Sequence, residues 1–260
     1  MDIVLTLFLG FAIVFLMMFM LWMIHLKLRN AGVVDVGWGL GFIFLTFFYI
    51  SRSEDLGSRN FLALLMVTTW GLRLSRHLIR RLRREHKEDE RYQTLRREWK
   101  SHQNLKFFFF FEFQALLQVI LSIPFLCVSL NPNSHLKSLE IAGFVIWMIA
   151  IVGESVADQQ LVQFKLHPAN KGKVCQSGLW NYSRHPNYFF ECLVWVGFCV
   201  FALGSPWGWI SILSPAIMIY LLLKVSGVPL AEAQSLKSRG EAYRQYQRTT
   251  SMLIPWFKRK

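Results

Sequence analysis

The chain has 260 residues, 53% of them hydrophobic, 17% charged and 15% aromatic, where an ordinary soluble domain is roughly a quarter charged. A mean hydropathy of +0.33 in long apolar blocks excludes a disordered chain and argues against a soluble globule. The net charge of +13 comes with no recognised nucleic-acid-binding motif, so no nucleic acid is expected as a partner.

A bilayer crossing needs about 20 mainly apolar residues. In chain order the sequence predicts seven: Ile3–Ile24, Val33–Ile50, Phe61–Ile79, Phe107–Leu130, Leu139–Ala157, Tyr188–Leu203 and Trp207–Val225. The first is too long for a signal-peptide core and has no basic stretch before it, so it reads as a span. The last two are separated only by Gly204–Pro206, as in a helical hairpin. The prediction is therefore an all-α, polytopic integral membrane protein with seven transmembrane helices.

Orientation follows from the loops, because cytoplasmic loops carry an excess of Lys and Arg. With the N-terminus outside, the inner segments Leu26–Asn30, Arg73–Lys106, Asp158–Asn187 and Lys224–Lys260 hold 26 of the 29 basic residues. Only Arg52, Arg59 and Lys137 fall outside. The basicity is thus mostly topology, with the C-terminus cytoplasmic and some attraction to anionic lipid headgroups. Within Arg73–Lys106 the pattern predicts an extension of the third helix, a turn near Glu88–Glu90, and an interfacial helix carrying Tyr92, Leu95 and Trp99. Short loops and the lack of a targeting segment suit a bacterial inner membrane.

Ionisable groups inside spans are costly and point to function. Asp35, Arg73, Glu112, Glu154, Asp158 and Glu191 all fall in the cytoplasmic half of their helices. Structural ion pairs, such as Arg73 with Glu112 or Asp35, are one explanation. A polar cavity open to the cytoplasm accounts better for six charges at one depth, whereas a transport path would need charge in both halves. Gly37, Gly39 and Gly41 follow no strand, and are expected to allow close helix packing.

The most informative stretch is Gly178-Leu-Trp-Asn-Tyr-Ser-Arg-His-Pro-Asn-Tyr-Phe-Phe-Glu191. Tyr182, Ser183, Arg184, His185, Asn187, Tyr188 and Glu191 crowd hydrogen-bonding groups where the chain re-enters the membrane. Pro186 favours a helix start, which puts Asn187 and Glu191 on one face. Arg184 and His185 beside that start suit an anionic ligand such as a phosphate. No metal is expected, because His185 and His167 form no ligand spacing. Farther on, Glu232, Arg239, Tyr243 and Tyr246 are spaced to line one helical stripe, either as ligand contacts or as an interfacial helix. Cys127, Cys175, Cys192 and Cys199 form no CxxC pair, and none has an evident activating base.

The run from Gly178 to Glu191, with Val225-Ser-Gly-Val-Pro-Leu and Tyr243-x-x-Tyr246…Ile254-Pro-Trp256, resembles the DUF1295 family. That family is related to the steroid 5-alpha-reductases and, more distantly, to the isoprenylcysteine carboxyl methyltransferases. Asp35-x-x-Trp38-Gly, Arg73 and Glu88-Asp-x-Arg-Tyr92 are also typical of it, so the resemblance covers nearly the whole chain. It implies that residues 139–260 hold NADPH from the cytoplasmic side and that the spans of residues 1–130 enclose a lipid. Matched to the family pattern, Asp158, Lys165, Asn187, Glu191, Arg239, Tyr243 and Tyr246 would contact the cofactor, joined by Tyr182, Arg184 and His185.

The substrate half departs from the steroid enzymes. Their substrate-engaging Gln-Glu pair has no counterpart beyond Asp35-Val-Gly-Trp38, and their catalytic Tyr falls at Trp70, whose indole cannot protonate an enolate. The expected function is reduction of a carbon–carbon double bond in a hydrophobic, sterol-like or isoprenoid lipid. Asp35 is the first acid candidate and Glu112 the second, provided burial raises the carboxyl's pKa, with Arg73 orienting it or stabilising charge. Trp38 and Trp70 are the substrate-side residues. The alternatives are methyl transfer from S-adenosylmethionine and non-catalytic lipid binding.

Overall fold

The computed structural model describes residues 2–54, 57–85, 88–133 and 135–258, apart from the side chain of Glu85. Eleven α-helices are found among them, and no strand beyond one isolated bridge. Five stretches are long and apolar enough to cross a membrane: Ile3–Leu28, Val33–Ser51, Gln103–Leu121, Ser138–Leu166 and Gly208–Arg239. Large apolar side chains stand outward on them, among them Phe8, Phe47, Phe109 and Ile149, as lipid-facing helices require. These features fit a multi-pass membrane protein.

The chain divides into two compact units, Met1–Glu140 with Ala202–Ser214, and Ile141–Phe201 with Pro215–Lys260. The first is built on α1 (Ile3–Leu28), α2 (Val33–Ser51), α3 (Ser58–Glu85) and α5 (Gln103–Leu121). Glycines set the spacing in this bundle. A Cβ at Gly39 would lie 2.7 Å from the carbonyl oxygen of Gly71 on α3, so the two backbones approach closely. Gly41 gives the same clearance to Gln118, whose amide donates to the carbonyls of Gly37 (3.1 Å) and Trp38 (2.7 Å).

α3 runs unbroken from its apolar half into the arginine-rich half, so the expected extension is present. Its charge keeps it outside the five apolar stretches, although it contains Phe61–Ile79. The helix α4 (Glu90–Glu98) follows, with Asp89 as its N-cap. The expected span Phe107–Leu130 is two helices rather than one: α5 ends at Leu121 and α6 (Ile123–Ser129) begins after Ser122. Pro124, in the first turn of α6, has no N–H to continue the ladder.

At the opposite end of this unit, Arg59 and Glu140 form a fully buried ion pair, and Arg59 also donates to the carbonyls of Asn133 and His135. Asn131 reaches the carbonyl of Gly204 (3.3 Å) and the hydroxyl of Ser205 (3.1 Å), which ties residues 202–214 to the first unit.

In the second unit α7 (Ser138–Leu166) and α8 (Pro186–Ala202) run antiparallel. Gly143 faces Phe201, Trp147 faces Gly197 and Gly153 faces Phe190. The 17-residue α8 contains most of the expected span Tyr188–Leu203 but is shorter than the five apolar stretches. The expected Trp207–Val225 span comprises a 3-10 turn, α9 (Leu213–Tyr220) and a π-helical turn over Leu221–Val225. α10 (Val228–Arg239) and α11 (Glu241–Thr249) follow. Gly240, at φ 53° and ψ −124°, breaks between them, so the single stripe expected from Glu232 to Tyr246 is divided over two helices.

Candidate functional site

Two clusters of polar side chains stand out, one in each unit. The first lies where α1 ends, α2 begins and α4 is fastened. Asp89 Oδ1 caps α4 by accepting from the Arg91 N–H (2.9 Å), and also takes Arg91 Nε (3.0 Å). Its other oxygen takes Arg81 Nη2 (2.8 Å). Arg91 Nη2 then reaches Asp35 Oδ2 at 2.9 Å, and the Tyr92 hydroxyl donates to Asp35 Oδ1 at 2.7 Å. Both oxygens of Asp35 therefore accept hydrogen bonds from α4. Arg73, considered as an Asp35 partner, sits half-buried on α3.

Tyr92 is only 4% exposed, against the interfacial position expected of it. Its ring meets Phe110 edge-on at 6.1 Å, with the Arg91 guanidinium 5.2 Å above it. Burial pushes its phenol well above the usual pKa, and the charge of Asp35 adds to that, so the hydroxyl keeps its proton. Asp89 moves the other way: burial alone would raise it, but Arg91 and Arg81 hold the carboxyl below its usual range. Beside these, Glu88 accepts from Arg96 Nε (2.6 Å) and from the Ala31 N–H (2.7 Å). Arg96 lies 4.7 Å over Phe107 and 3.4 Å from His25 Nδ1.

Trp38, Phe42 and Trp70 form an aromatic row in the same unit, with centroids 5.5 and 5.6 Å apart. Trp70 is fully buried. Glu112 on α5 is 8% exposed, and neither carboxylate oxygen has a hydrogen-bond partner among the described residues.

The second cluster is the Gly178–Glu191 run. Gly178, at φ 58°, leaves room for Gln160 of α7, whose Oε1 accepts from the Leu179 N–H at 2.9 Å. Trp180 Nε1 donates to the Ala157 carbonyl at 2.9 Å. The segment after α11 lies alongside: the Arg184 N–H donates to the Ser251 carbonyl (2.9 Å) and the Trp256 N–H to the Tyr182 carbonyl (3.0 Å). Tyr246 donates its hydroxyl to the carbonyls of Trp180 and Ser183.

Arg184 works inward. Nε meets Glu232 at 2.7 Å, and Nη1 meets the carbonyls of Gln247 (3.0 Å) and Thr250 (2.6 Å). His185 Nε2 is 3.3 Å from the same Glu232 oxygen, and its ring stacks on Tyr188 at 5.4 Å. Burial, with Glu232 adding to it, pushes the Tyr243 phenol up to about 12. Arg184, His185 and Tyr246 thus fasten the motif to the tail.

The other expected cofactor contacts lie differently. Lys165 is exposed at the end of α7, two turns along the same helical face from half-buried Asp158. Arg239 Nε donates to the Lys173 carbonyl at 2.9 Å, and Glu191 accepts from Trp195 at 2.9 Å. Tyr182 is exposed, its ring edge-on to Phe257. Asn187 has a buried Oδ1 with no partner among the described residues. Asn187 Oδ1 is thus an orphaned acceptor on the first turn of α8, and Lys165, Lys171 and Lys173 are exposed on the same unit.

Sequence reasoning missed Tyr92 and Arg91 as site residues. Their signal was present: an acid-rich turn followed by Arg and Tyr, beside an α2 that carries a carboxyl in its first turn.

An all-helical fold with several membrane-length helices, and polar clusters at helix ends, defines an integral-membrane class. The family described as "Protein of unknown function (DUF1295)" matches residues 21–250, and the chain belongs to that family. Over 46 residues the chain is 44% identical to "Probable O-methyltransferase ustE" of Ustilaginoidea virens. That match covers 18% of this chain and 16% of the relative's length, so it spans about a sixth of the curated protein. No solved structure matches the chain.

Proposed function

We propose that the chain is a membrane-embedded, NADPH-dependent reductase of a carbon–carbon double bond conjugated to a carbonyl in a hydrophobic, sterol-like or isoprenoid lipid. The observation that carries this reading is the Tyr92 hydroxyl on Asp35, a protonated phenol held by a carboxylate and flanked by Arg91. The phenol that Trp70 cannot supply comes instead from α4. When bound, the dinucleotide supplies hydride to the electron-poor carbon. With the lipid bound, the Tyr92 O–H would turn from Asp35 to the lipid's carbonyl oxygen and give it its proton, polarising the double bond, while Arg91 stabilises the negative charge that builds on that oxygen. Asp35 holds both groups in place beforehand, and water then protonates the neighbouring carbon as the enol gives its O–H proton back to Tyr92. Glu112 and Arg73 are further acid and cation positions in the same unit. Asn187 Oδ1 would accept from an amide or amino N–H of the dinucleotide, while Lys165 and Arg239 face its phosphates. Asp158, Glu191 and Tyr243 support this half.

In the same reading α3 and α8 also cross the bilayer. That gives seven spans with the N-terminus outside.

A second reading, methyl transfer from S-adenosylmethionine, is favoured by the local similarity to a probable O-methyltransferase. Equilibrium binding to the detergent-purified protein separates the two. Micromolar NADPH binding, lost in Asn187→Ala and Lys165→Ala, supports the reductase. Binding of S-adenosylmethionine alone moves the assignment to methyl transfer, and binding of neither favours a lipid-binding role.

A further inference from the structure

A groove of about 250 Å³ opens at the end of the first unit where α1 finishes and α2 begins. Leu21 and Ile24 of α1, Val33 and Val36 of α2, and Ile79 and Leu82 of α3 form its walls, and among the described residues Arg83 is the one charged residue lining it. Each wall is a single helical turn, about 5 Å of rise. Small-molecule pockets run upward from about 300 Å³. The groove is thus small for a whole ligand but roomy for part of one chain. Ile24 and Ile79 keep outward-facing surface, so it opens sideways, as a site filled from the bilayer would.

Among the described residues the exposed charge around it is positive, since the nearby acids Asp35, Asp89 and Glu88 are held by Arg91, Arg81, Arg96 and the Ala31 N–H. Arg80 and Arg83 are exposed at i and i+3 on α3, and Lys27 and Arg29 are exposed at the end of α1. No acidic residue occurs on α3 before Glu85. Clustered cations at the end of an apolar helix attract anionic headgroups, while the apolar walls select for a hydrocarbon chain.

We propose that this groove is a binding site for an anionic phospholipid. The upper part of one acyl chain lies between α1, α2 and α3, and the phosphate rests on Arg80 and Arg83. The site does not depend on which cofactor the protein uses.

The test uses the full chain in detergent, stripped of lipid and titrated separately with dioleoylphosphatidylglycerol, dioleoylphosphatidylcholine and glycerol 3-phosphate, with Tm as the readout. Phosphatidylglycerol should raise Tm with an apparent affinity at least tenfold better than phosphatidylcholine, and glycerol 3-phosphate should do nothing. Arg80→Gln with Arg83→Gln should remove the preference, whereas Arg80→Lys with Arg83→Lys should retain it. Val36→Phe, which fills the groove, should weaken phosphatidylglycerol binding at unchanged charge. Equal response to the two lipids, a preference that survives the glutamine pair, or a Tm rise with glycerol 3-phosphate alone would overturn the proposal.

Discussion

The Tyr92 hydroxyl and the two Glu112 oxygens are both buried, yet they answer the cost of burial in opposite ways. Tyr92 is satisfied by a charged partner, and a hydrogen bond of that kind is worth about 1.5–3 kcal/mol. Tyr92→Phe keeps the ring against Phe110 and removes only the O–H. The expected outcome is a loss of turnover of about a hundredfold, the usual scale of a missing general acid. Cofactor affinity should stay within about twofold. NADPH oxidation with an enone lipid, beside equilibrium binding, checks both. Glu112 has no partner among the described residues, so its burial is an uncompensated cost. Glu112→Leu should therefore raise stability by about 1–2 kcal/mol, seen as a Tm increase of a few degrees, while lowering turnover. A fall in Tm would show that the carboxyl is satisfied after all.

Short elements and non-helical segments fix both clusters, and this is where the sequence was least legible. Periodicity and apolar length were enough to place α1, α2, α7 and the polar α3–α4 region, because those patterns are local. Whether Tyr92 points to lipid or to Asp35 depends on where α2 lies, 57 residues earlier in the chain, and no local pattern encodes that. Arg184 shows the same gap. Beside a helix start it reads as a phosphate contact, but the carbonyls of Gln247 and Thr250, more than 60 residues away, take its guanidinium. Arg184→Ala should leave those carbonyls and Glu232 without their donor and cost about 3 kcal/mol, the scale of a broken buried pair. Chemical denaturation would read it.

The same joint gives a pH signature through Tyr243, whose folded phenol is pushed up to about 12 from its ordinary value of 10.0. The unfolded chain loses that proton first. The stabilising contribution is therefore whole below pH 10, falls as pH rises, and is gone by about pH 12. Over two pH units that is about 2–3 kcal/mol. Tyr243→Phe should flatten the alkaline limb of a Tm–pH curve.

Across the whole chain, the proposed seven-span topology sorts charge by side. Of the three basic residues expected outside, Arg59 is buried on Glu140, and Lys137 donates to the Gly204 carbonyl at 2.9 Å. Those two are consumed by internal contacts, which in the proposed topology leaves orientation to the basic residues of the inner segments. Cysteine substitutions at Ser53 and Ser238, in a background lacking the four native cysteines, should label from opposite faces with an impermeant maleimide in intact cells. Labelling of both from one face would rule out the seven-span arrangement. Arg59→Ala should cost about 3–5 kcal/mol by stranding Glu140.

The pairing of residues 182–184 with 251–256 also sets an order of assembly. The motif leaves the ribosome some 65 residues before the segment that closes over it, so α7 and α8 are complete while Arg184 still lacks its carbonyl acceptors. During synthesis that guanidinium has only water or headgroups to bind. The last stretch of translation thus acts as a maturation step, and a nascent chain stalled near Thr249 should display protease-sensitive bonds at 178–185 that the released protein protects.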